Sequence, residues 1–71
     1  MPLSIVQAGR VVRLVAIGAG QGLQARLEAM GLVPGVEIEV LYNHPWGPFL
    51  VSVKGSRVML GREMANKISV V

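Results

Sequence analysis

The side chains that could ligate a metal ion are few in this chain. His44 is the only imidazole, cysteine is absent, and Glu37 and Glu39 stand two residues apart shortly before the histidine. One imidazole and two carboxylates can hold a divalent cation of hard or borderline character. However, glutamates two apart on a strand usually form its solvated face, and a loop histidine before a proline is usually hydrated. We therefore predict no metal site and keep these three residues as weak candidates.

The groups needed for covalent or acid–base catalysis are scarcer still. The chain has no aspartate and no cysteine, and its serines number four: Ser4, Ser52, Ser56 and Ser69. A nucleophile needs an adjacent base, and the base needs a third group that orients it. This inventory does not supply such a set, so we predict a protein that is not an enzyme and has no catalytic cofactor.

Two further patterns resemble ligand sites but are interpreted as structural. Residues 18–22 contain three glycines, as phosphate-binding loops do, but no Lys-Ser or Lys-Thr pair follows them. We predict a plain connector there. Met30, Met59 and Met64 offer soft thioethers, but methionine far more often fills gaps in an apolar core, and we expect that role here.

Two residues are better suited to binding a partner protein. Trp46 lies in the loop 43–48, where two prolines restrict the backbone. A tryptophan held rigidly in a loop loses little entropy on docking and is a common hot-spot residue, although it could instead close one end of the fold as a lid. Arg26 precedes the apolar Leu27 on a predicted helix, so it should face away from the core. It could anchor that helix to the barrel, meet an acidic partner, or simply be solvated.

Length and composition limit the remaining possibilities. Seventy-one residues correspond to one domain, 1–71, and 52% of them are hydrophobic, which is consistent with a dense core in a chain without disulfides. The first residues lack the basic and apolar regions of a signal peptide, and no apolar run reaches the roughly 18 residues of a membrane span. We expect a cytoplasmic protein without a membrane span.

The chain carries a net charge of +3, from seven dispersed basic residues and four glutamates. A dispersed excess of this size is typical of a solvated surface. It is also compatible with binding to an anionic surface, either nucleic acid or the inner leaflet of a membrane.

The most informative local pattern predicts the end of a helix. Leu23, Leu27 and Met30 share one helical face, and Gly31 follows them where a left-handed residue commonly ends a helix. Pro34-Gly35 suits the two central positions of a type II turn.

Alternation of apolar and polar residues then predicts the strands. After the turn, Val36, Ile38, Val40 and Tyr42 should face the core, opposite Glu37, Glu39 and Leu41. The first strand should be buried on both faces, because it is apolar on both. We predict strands at 10–17, 36–42, 49–53, 56–60 and 68–71, a helix at 23–30 and a helical turn at 61–67. These elements indicate a mainly β fold, a small and strongly bent five-stranded barrel in which closure removes the exposed strand edges.

The order of these signals resembles that of a known family over nearly the whole chain. The matching segments are Arg26-Leu27 with Met30-Gly31-Leu32-Val33-Pro34-Gly35, then Gly47-Pro48, then Val53-Lys54-Gly55, and finally Leu60, Ala65, Ile68 and Val70. They are similar to the FeoA domain, the small protein that accompanies the FeoB ferrous-iron transporter of bacteria. Gly61 and Met64 depart from the pattern, since the family often has an arginine and an acid at those positions.

This resemblance carries expectations of its own. It implies an SH3-like barrel, a role in ferrous iron transport, and docking onto the cytoplasmic side of a FeoB-type membrane transporter and its GTPase domain. The family is also associated with transition-metal binding. Within the motif, Leu27, Gly31, Pro34, Gly35, Gly47, Pro48, Gly55 and Ala65 should shape the barrel, and Arg26 and Trp46 remain the candidates for partner contact.

Two other interpretations stay open. A small basic barrel can bind nucleic acid, but single-strand binders stack bases on several aromatic rings, and this chain has only Tyr42, Trp46 and Phe49. We therefore expect no nucleic-acid partner. The same domain is similar to the C-terminal module of diphtheria-toxin-repressor-type regulators, but the chain has no helix-turn-helix with which to read DNA alone. Its oligomeric state is left open, self-association included.

Overall fold

The computed structural model describes residues 1–71. After a 3₁₀ turn at Leu3–Ile5, the elements are β1 (Val11–Ile17), α1 (Gln21–Ala29), β2 (Glu37–Asn43), β3 (Phe49–Val53), β4 (Ser56–Leu60), α2 (Arg62–Asn66) and β5 (Ile68–Val70). All strand pairs are antiparallel, and the strand order is β4-β3-β2-β1-β5. The predicted mainly β fold, with one helix between the first two strands and a short one before the last, is confirmed. Neither helix is long and apolar enough to cross a membrane.

The sheet curls around a single apolar core, to which every strand and both helices contribute. Fifteen residues form it: Leu3, Val6, Val12, Leu14, Leu27, Leu32, Ile38, Val40, Phe49, Val51, Val53, Leu60, Ala65, Ile68 and Val70. The core-facing residues of β3 are every second one, as a strand half-covered by a core requires.

The two ends of the sheet do not pair with each other, so the predicted barrel closure is incomplete. The five-residue helix α2 connects β4 to β5 and lies across the gap, where Ala65 is fully buried beside the 3₁₀ turn. The outer edge of β5 is covered by the chain's first residues, since Val70 donates its N–H to the carbonyl of Met1 at 2.7 Å and Pro2 forms an isolated bridge with Ser69. The outer edge of β4 has no such cover.

Helix α1 ends as its sequence predicts. Gly31 has a φ of +92°, and its N–H donates to the carbonyl of Glu28 at 2.9 Å. The next N–H, of Leu32, reaches back to the carbonyl of Leu27 at 3.0 Å. These two bonds form a Schellman motif, whose usual apolar contact is available here because Leu27 and Leu32 are both buried.

The turn that follows is the predicted type II turn. Gly35 has a φ of +89°, and Val36 donates its N–H to the carbonyl of Val33 at 3.1 Å. The turn is also fixed to β1, because Gly35 donates to the carbonyl of Leu14 at 2.8 Å and the N–H of Leu14 donates to the carbonyl of Val36 at 2.9 Å.

A β-bulge in β2 overturns one part of the predicted alternation. Val40 pairs with Val51, but the next pair is Tyr42 with Leu50, so Leu41 is an extra residue. An extra residue reverses which side chains face the core beyond it. Tyr42 is therefore 48% exposed instead of buried.

Strand β1 and helix α1 also differ from the expectations. Only Val12 and Leu14 of β1 are buried, and Val11 and Val15 are half-exposed, because nothing packs over the strand's outer face. The predicted connector 18–22 is shorter than expected, since Gln21 and Gly22 already belong to α1. Gly22 is tolerated in this nine-residue helix because it lies in the exposed first turn, which directly follows the N-cap residue Gly20.

Replacing Gly31 tests the helix end. We expect Gly31→Val to lower the free energy of unfolding by about 1–3 kcal/mol, because a β-branched side chain is strained at positive φ. Gly22→Val is the matched control, since Gly22 lies in the exposed first turn of α1, does not have a positive φ, and has open space where a Cβ would lie. Urea denaturation of both variants is the measurement. Similar losses in the two proteins would show that backbone conformation at Gly31 is not the cause.

Candidate functional site

Trp46 lies at the tip of a tight turn between β2 and β3. Gly47 donates its N–H to the carbonyl of His44 at 3.2 Å, with Pro45 at the position where proline presets the backbone. A Cβ on Gly47 would lie 3.1 Å from the Cβ of His44, so the close approach favours glycine. Trp46 is 95% exposed, which shows that it does not close the barrel as a lid.

Arg62, the first residue of α2, fixes the base of this loop. Its guanidinium donates to the carbonyl of His44 at 2.7 Å, to Oδ1 of Asn43 at 2.9 Å and to the carbonyl of Ser4 at 3.5 Å. The same group lies over the ring of Phe49, 5.7 Å from its centroid. One side chain therefore ties together the loop, the 3₁₀ turn and α2.

Asn43 completes this polar cluster from the loop side. Its Nδ2 donates to the carbonyls of Ser4 and Val6 at 3.0 and 2.8 Å, while Ser4 donates its hydroxyl to Oδ1 of Asn66. Asn43 reaches these carbonyls because the bulge turns it towards the 3₁₀ turn. The tryptophan loop is thus attached to the barrel by charged and amide hydrogen bonds, and we call Ser4, Asn43 and Arg62 the loop anchor.

An open groove of about 370 Å³ lies on the outer face of β2, β3 and β4. Tyr42, Leu50 and Met59 form one row across the three strands, as their pairing register shows. The groove is apolar apart from one charge, and its lining residues are Leu41, Tyr42, Pro48, Leu50, Arg57 and Met59. Pro48 belongs to the loop that carries Trp46, so the loop and the groove adjoin.

The three weak metal candidates do not come together. Glu37 begins β2 and forms a salt bridge of 3.9 Å with Arg13, while His44 follows the end of the same strand and stacks on Tyr42. Glu37 and His44 are seven positions apart along extended chain, or about 23 Å. No group of three acidic or imidazole side chains with metal-binding geometry occurs in the structure.

The other predicted residues are distributed as follows. Arg26 is exposed in the last turn of α1, on a different face of the helix from buried Leu27. Met59 and Met30 are 70% and 44% exposed, so their prediction as core residues is wrong. Phe49 is buried, which leaves only Tyr42 and Trp46 as surface aromatic rings.

Sequence reasoning misses the loop anchor and most of the groove. In the sequence Arg62 is only one of several dispersed bases, and nothing in its neighbours shows that it contacts Ser4 near the start of the chain and Asn43 and His44 in the middle. The groove could have been predicted in part. Leu50 and Met59 are apolar, although alternation along β3 and β4 places them on the face that points away from the core.

Together, a curled five-stranded antiparallel sheet and a surface made of a rigid loop and an open groove define a small SH3-like barrel. The chain belongs to the FeoA domain family, whose model matches residues 1–71. A curated relative from Methanocaldococcus jannaschii, a candidate Fe(2+) transport protein A, is 39% identical over 69 residues, which are 97% of this chain and 83% of the relative.

Solved structures agree with this membership. The crystal structure of an iron uptake regulatory protein (FeoA) superposes with a TM-score of 0.91 and 38% identity, over 99% of this chain and 93% of that one. A FeoA of Stenotrophomonas maltophilia in complex with zinc, described as a prokaryotic SH3 domain protein, gives 0.86 and 26%, over 100% and 89%. A manganese-dependent transcriptional repressor shares the fold at 20% identity, with a TM-score of 0.85, over 96% of this chain and 39% of its own.

Replacing Arg62 tests the loop anchor. We expect Arg62→Lys to lower the free energy of unfolding by about 1–3 kcal/mol, because an ammonium cannot reproduce the forked hydrogen bonds to Asn43 and His44. The fluorescence anisotropy of Trp46, the only tryptophan, should fall as the loop loosens. Arg10→Lys is the control for an exposed arginine outside the anchor. Unchanged anisotropy in Arg62→Lys would contradict the role assigned to the anchor.

Proposed function

We propose that this protein is a non-catalytic accessory of ferrous iron transport that binds the cytoplasmic side of a FeoB-type membrane transporter and modulates uptake. Membership of the FeoA family carries this proposal, supported by the relatives that are described as iron transport proteins. The protein would act in the cytoplasm, through its surface.

Trp46 is the residue we assign to the centre of the contact. A side chain that is 95% exposed has nearly all of its surface available to a partner. The His44–Gly47 turn and the loop anchor hold the backbone beneath it, so docking costs little conformational entropy. Burial of an exposed indole in a partner's pocket is a typical source of large binding energy.

Arg26 is the second residue we assign to the contact. It is exposed and lies in the last turn of α1, while the chain's one salt bridge involves Arg13 and Glu37 instead. Its charge is therefore free for an acidic group of the transporter. Charges at the rim of an interface mainly raise the association rate and fix the orientation of the partner.

Association with the transporter is the direct test. The transporter's soluble cytoplasmic domain would be co-expressed with the tagged chain and purified through the tag, and ferrous uptake would be compared between wild-type and deletion strains. We expect co-purification and altered uptake. Absence of association together with unchanged uptake would refute the proposal.

Substitutions at Trp46 and Arg26 give the residue-level prediction. Trp46→Ala should weaken binding of the transporter domain by about 2 kcal/mol or more, roughly thirtyfold, and leave the free energy of unfolding within about 0.5 kcal/mol of wild type. Val15→Ala is the control, since Val15 is a half-exposed apolar residue on β1. Isothermal titration calorimetry provides the affinities.

Charge reversal at Arg26 should act on the rate. Arg26→Glu should slow association at low salt, with a difference that shrinks as salt is added. Lys67→Glu changes the net charge by the same amount at an exposed position outside α1, and serves as the control. Equal effects of the two reversals would indicate only the net charge and would exclude a specific contact at Arg26.

A further inference from the structure

The outer edge of β4 is an unpaired strand edge. Lys54-Gly55 forms a two-residue turn with φ values of +51° and +80°, and Val53 pairs with Ser56 directly beyond it. In a two-residue hairpin that first pair is hydrogen-bonded, and bonded and non-bonded pairs then alternate. Ser56, Val58 and Leu60 therefore bond to β3, while Arg57 and Met59 direct their N–H and C=O groups away from the sheet.

Nothing else in the chain covers these groups. The backbone hydrogen bonds made outside the helices and strands involve no residue from Ser56 to Leu60. The opposite edge, on β5, is covered by Met1 and Pro2. A free edge in a protein that covers its other edge is a template onto which another chain can add as a strand.

The free edge and the groove share the same two residues. Arg57 and Met59 line the groove with their side chains and present their backbone groups to the edge. An added strand would therefore hydrogen-bond to β4 and place every second side chain towards the groove beside it. Main-chain bonds would give affinity, and the groove would select the side chains.

The charge of the groove indicates which side chain it selects. Arg57 is the only charged residue in the lining, and the nearest acid in register, Glu39, is separated from it by Ser52 on the intervening strand. Two strand spacings put their backbones about 10 Å apart. The guanidinium is thus free to bind a carboxylate beside the apolar row.

A second copy of this chain fits the edge poorly. Antiparallel pairing of two β4 strands would bring the two Arg57 side chains onto the same face of the joined sheet, and each chain adds a net charge of +3. Like charges at close range are destabilising.

We propose that the β4 edge and the adjoining groove bind an extended, apolar and acidic segment of another protein by strand addition, with Arg57 pairing a carboxylate of that segment. This surface is separate from Arg26 and does not depend on which protein supplies the segment. If the transporter binds through another surface, the peptide-binding proposal is unaffected. If the transporter does not bind at all, peptide binding at the β4 edge is still expected.

The test uses the full 71-residue chain and a phage-displayed library of random ten-residue linear peptides. We expect enrichment of peptides that alternate apolar residues and contain at least one aspartate or glutamate. The best peptide, made synthetically, should lose about tenfold or more in affinity for Arg57→Glu and none for Lys67→Glu. Enrichment without acidic residues, equal binding by both variants, or no enrichment would overturn the proposal.

Two measurements distinguish strand addition from groove binding alone. Hydrogen exchange at the amides of Arg57 and Met59 should be fast in the free chain, and its rate should fall at least tenfold when the peptide is bound. The amide of Val58 should be protected in both states. Met59→Pro removes an edge N–H that bonds to nothing in the fold, so it should weaken binding several-fold more than Met59→Ala. Equal losses with unchanged exchange would exclude strand addition.

Other occupants would give different results. Concentration-dependent dimers in sedimentation, with protected amides at Arg57 and Met59 in the absence of peptide, would overturn the proposal in favour of self-pairing. Arg57-dependent binding to phosphatidylglycerol vesicles without binding of the selected peptide would overturn it in favour of a membrane surface.

Discussion

The bulge in β2 is the constraint on which the functional surface depends. With Leu41 inserted, Val40 still faces the core, but Tyr42 turns outward and Asn43 turns inward. The inward turn lets Asn43 bond two carbonyls of the N-terminal segment and accept a bond from Arg62. The outward turn places Tyr42 in a row with Leu50 and Met59. One extra residue thus creates both the loop anchor and the groove.

The two edges of the sheet show how a chain of this size manages an incomplete barrel. A hydrogen-bonded closure would need β4 beside β5, but α2 occupies that gap and contributes Ala65 to the core. The edge of β5 is covered locally by the N-terminal residues. The edge of β4 stays open. Its outward-facing Arg57 places a charge on this edge, which disfavours unspecific pairing with other strands and so opposes aggregation.

The features of this barrel that could contact a partner lie on its surface. Its core consists of fifteen apolar side chains, and its groove is open to solvent on the outer face of the sheet. Trp46 projects from a rigid turn, while the neighbouring groove is concave. A projecting aromatic ring and an open strand edge recognise partners by different means, and they adjoin through Pro48. This arrangement is consistent with an accessory protein of the FeoA family.

Wherever the determining contacts are local, the sequence predicts the structure. Gly31, Gly35 and Gly55 have the positive φ values that glycine accommodates, and β3 and β4 have the predicted bounds. Alternation fails at Leu41, because a bulge depends on the pairing of two strands and not on either strand's own pattern. The prediction fails for Met30 and Met59 for the same reason, since burial depends on what packs over a face, whereas Met64 packs against the core as predicted. Arg62 could be identified as an anchor only in three dimensions, because its partners Ser4, Asn43 and His44 lie 58, 19 and 18 positions away. Residue type and spacing determined the helix end, the turns and the strands, and tertiary packing decided which surface was left to bind.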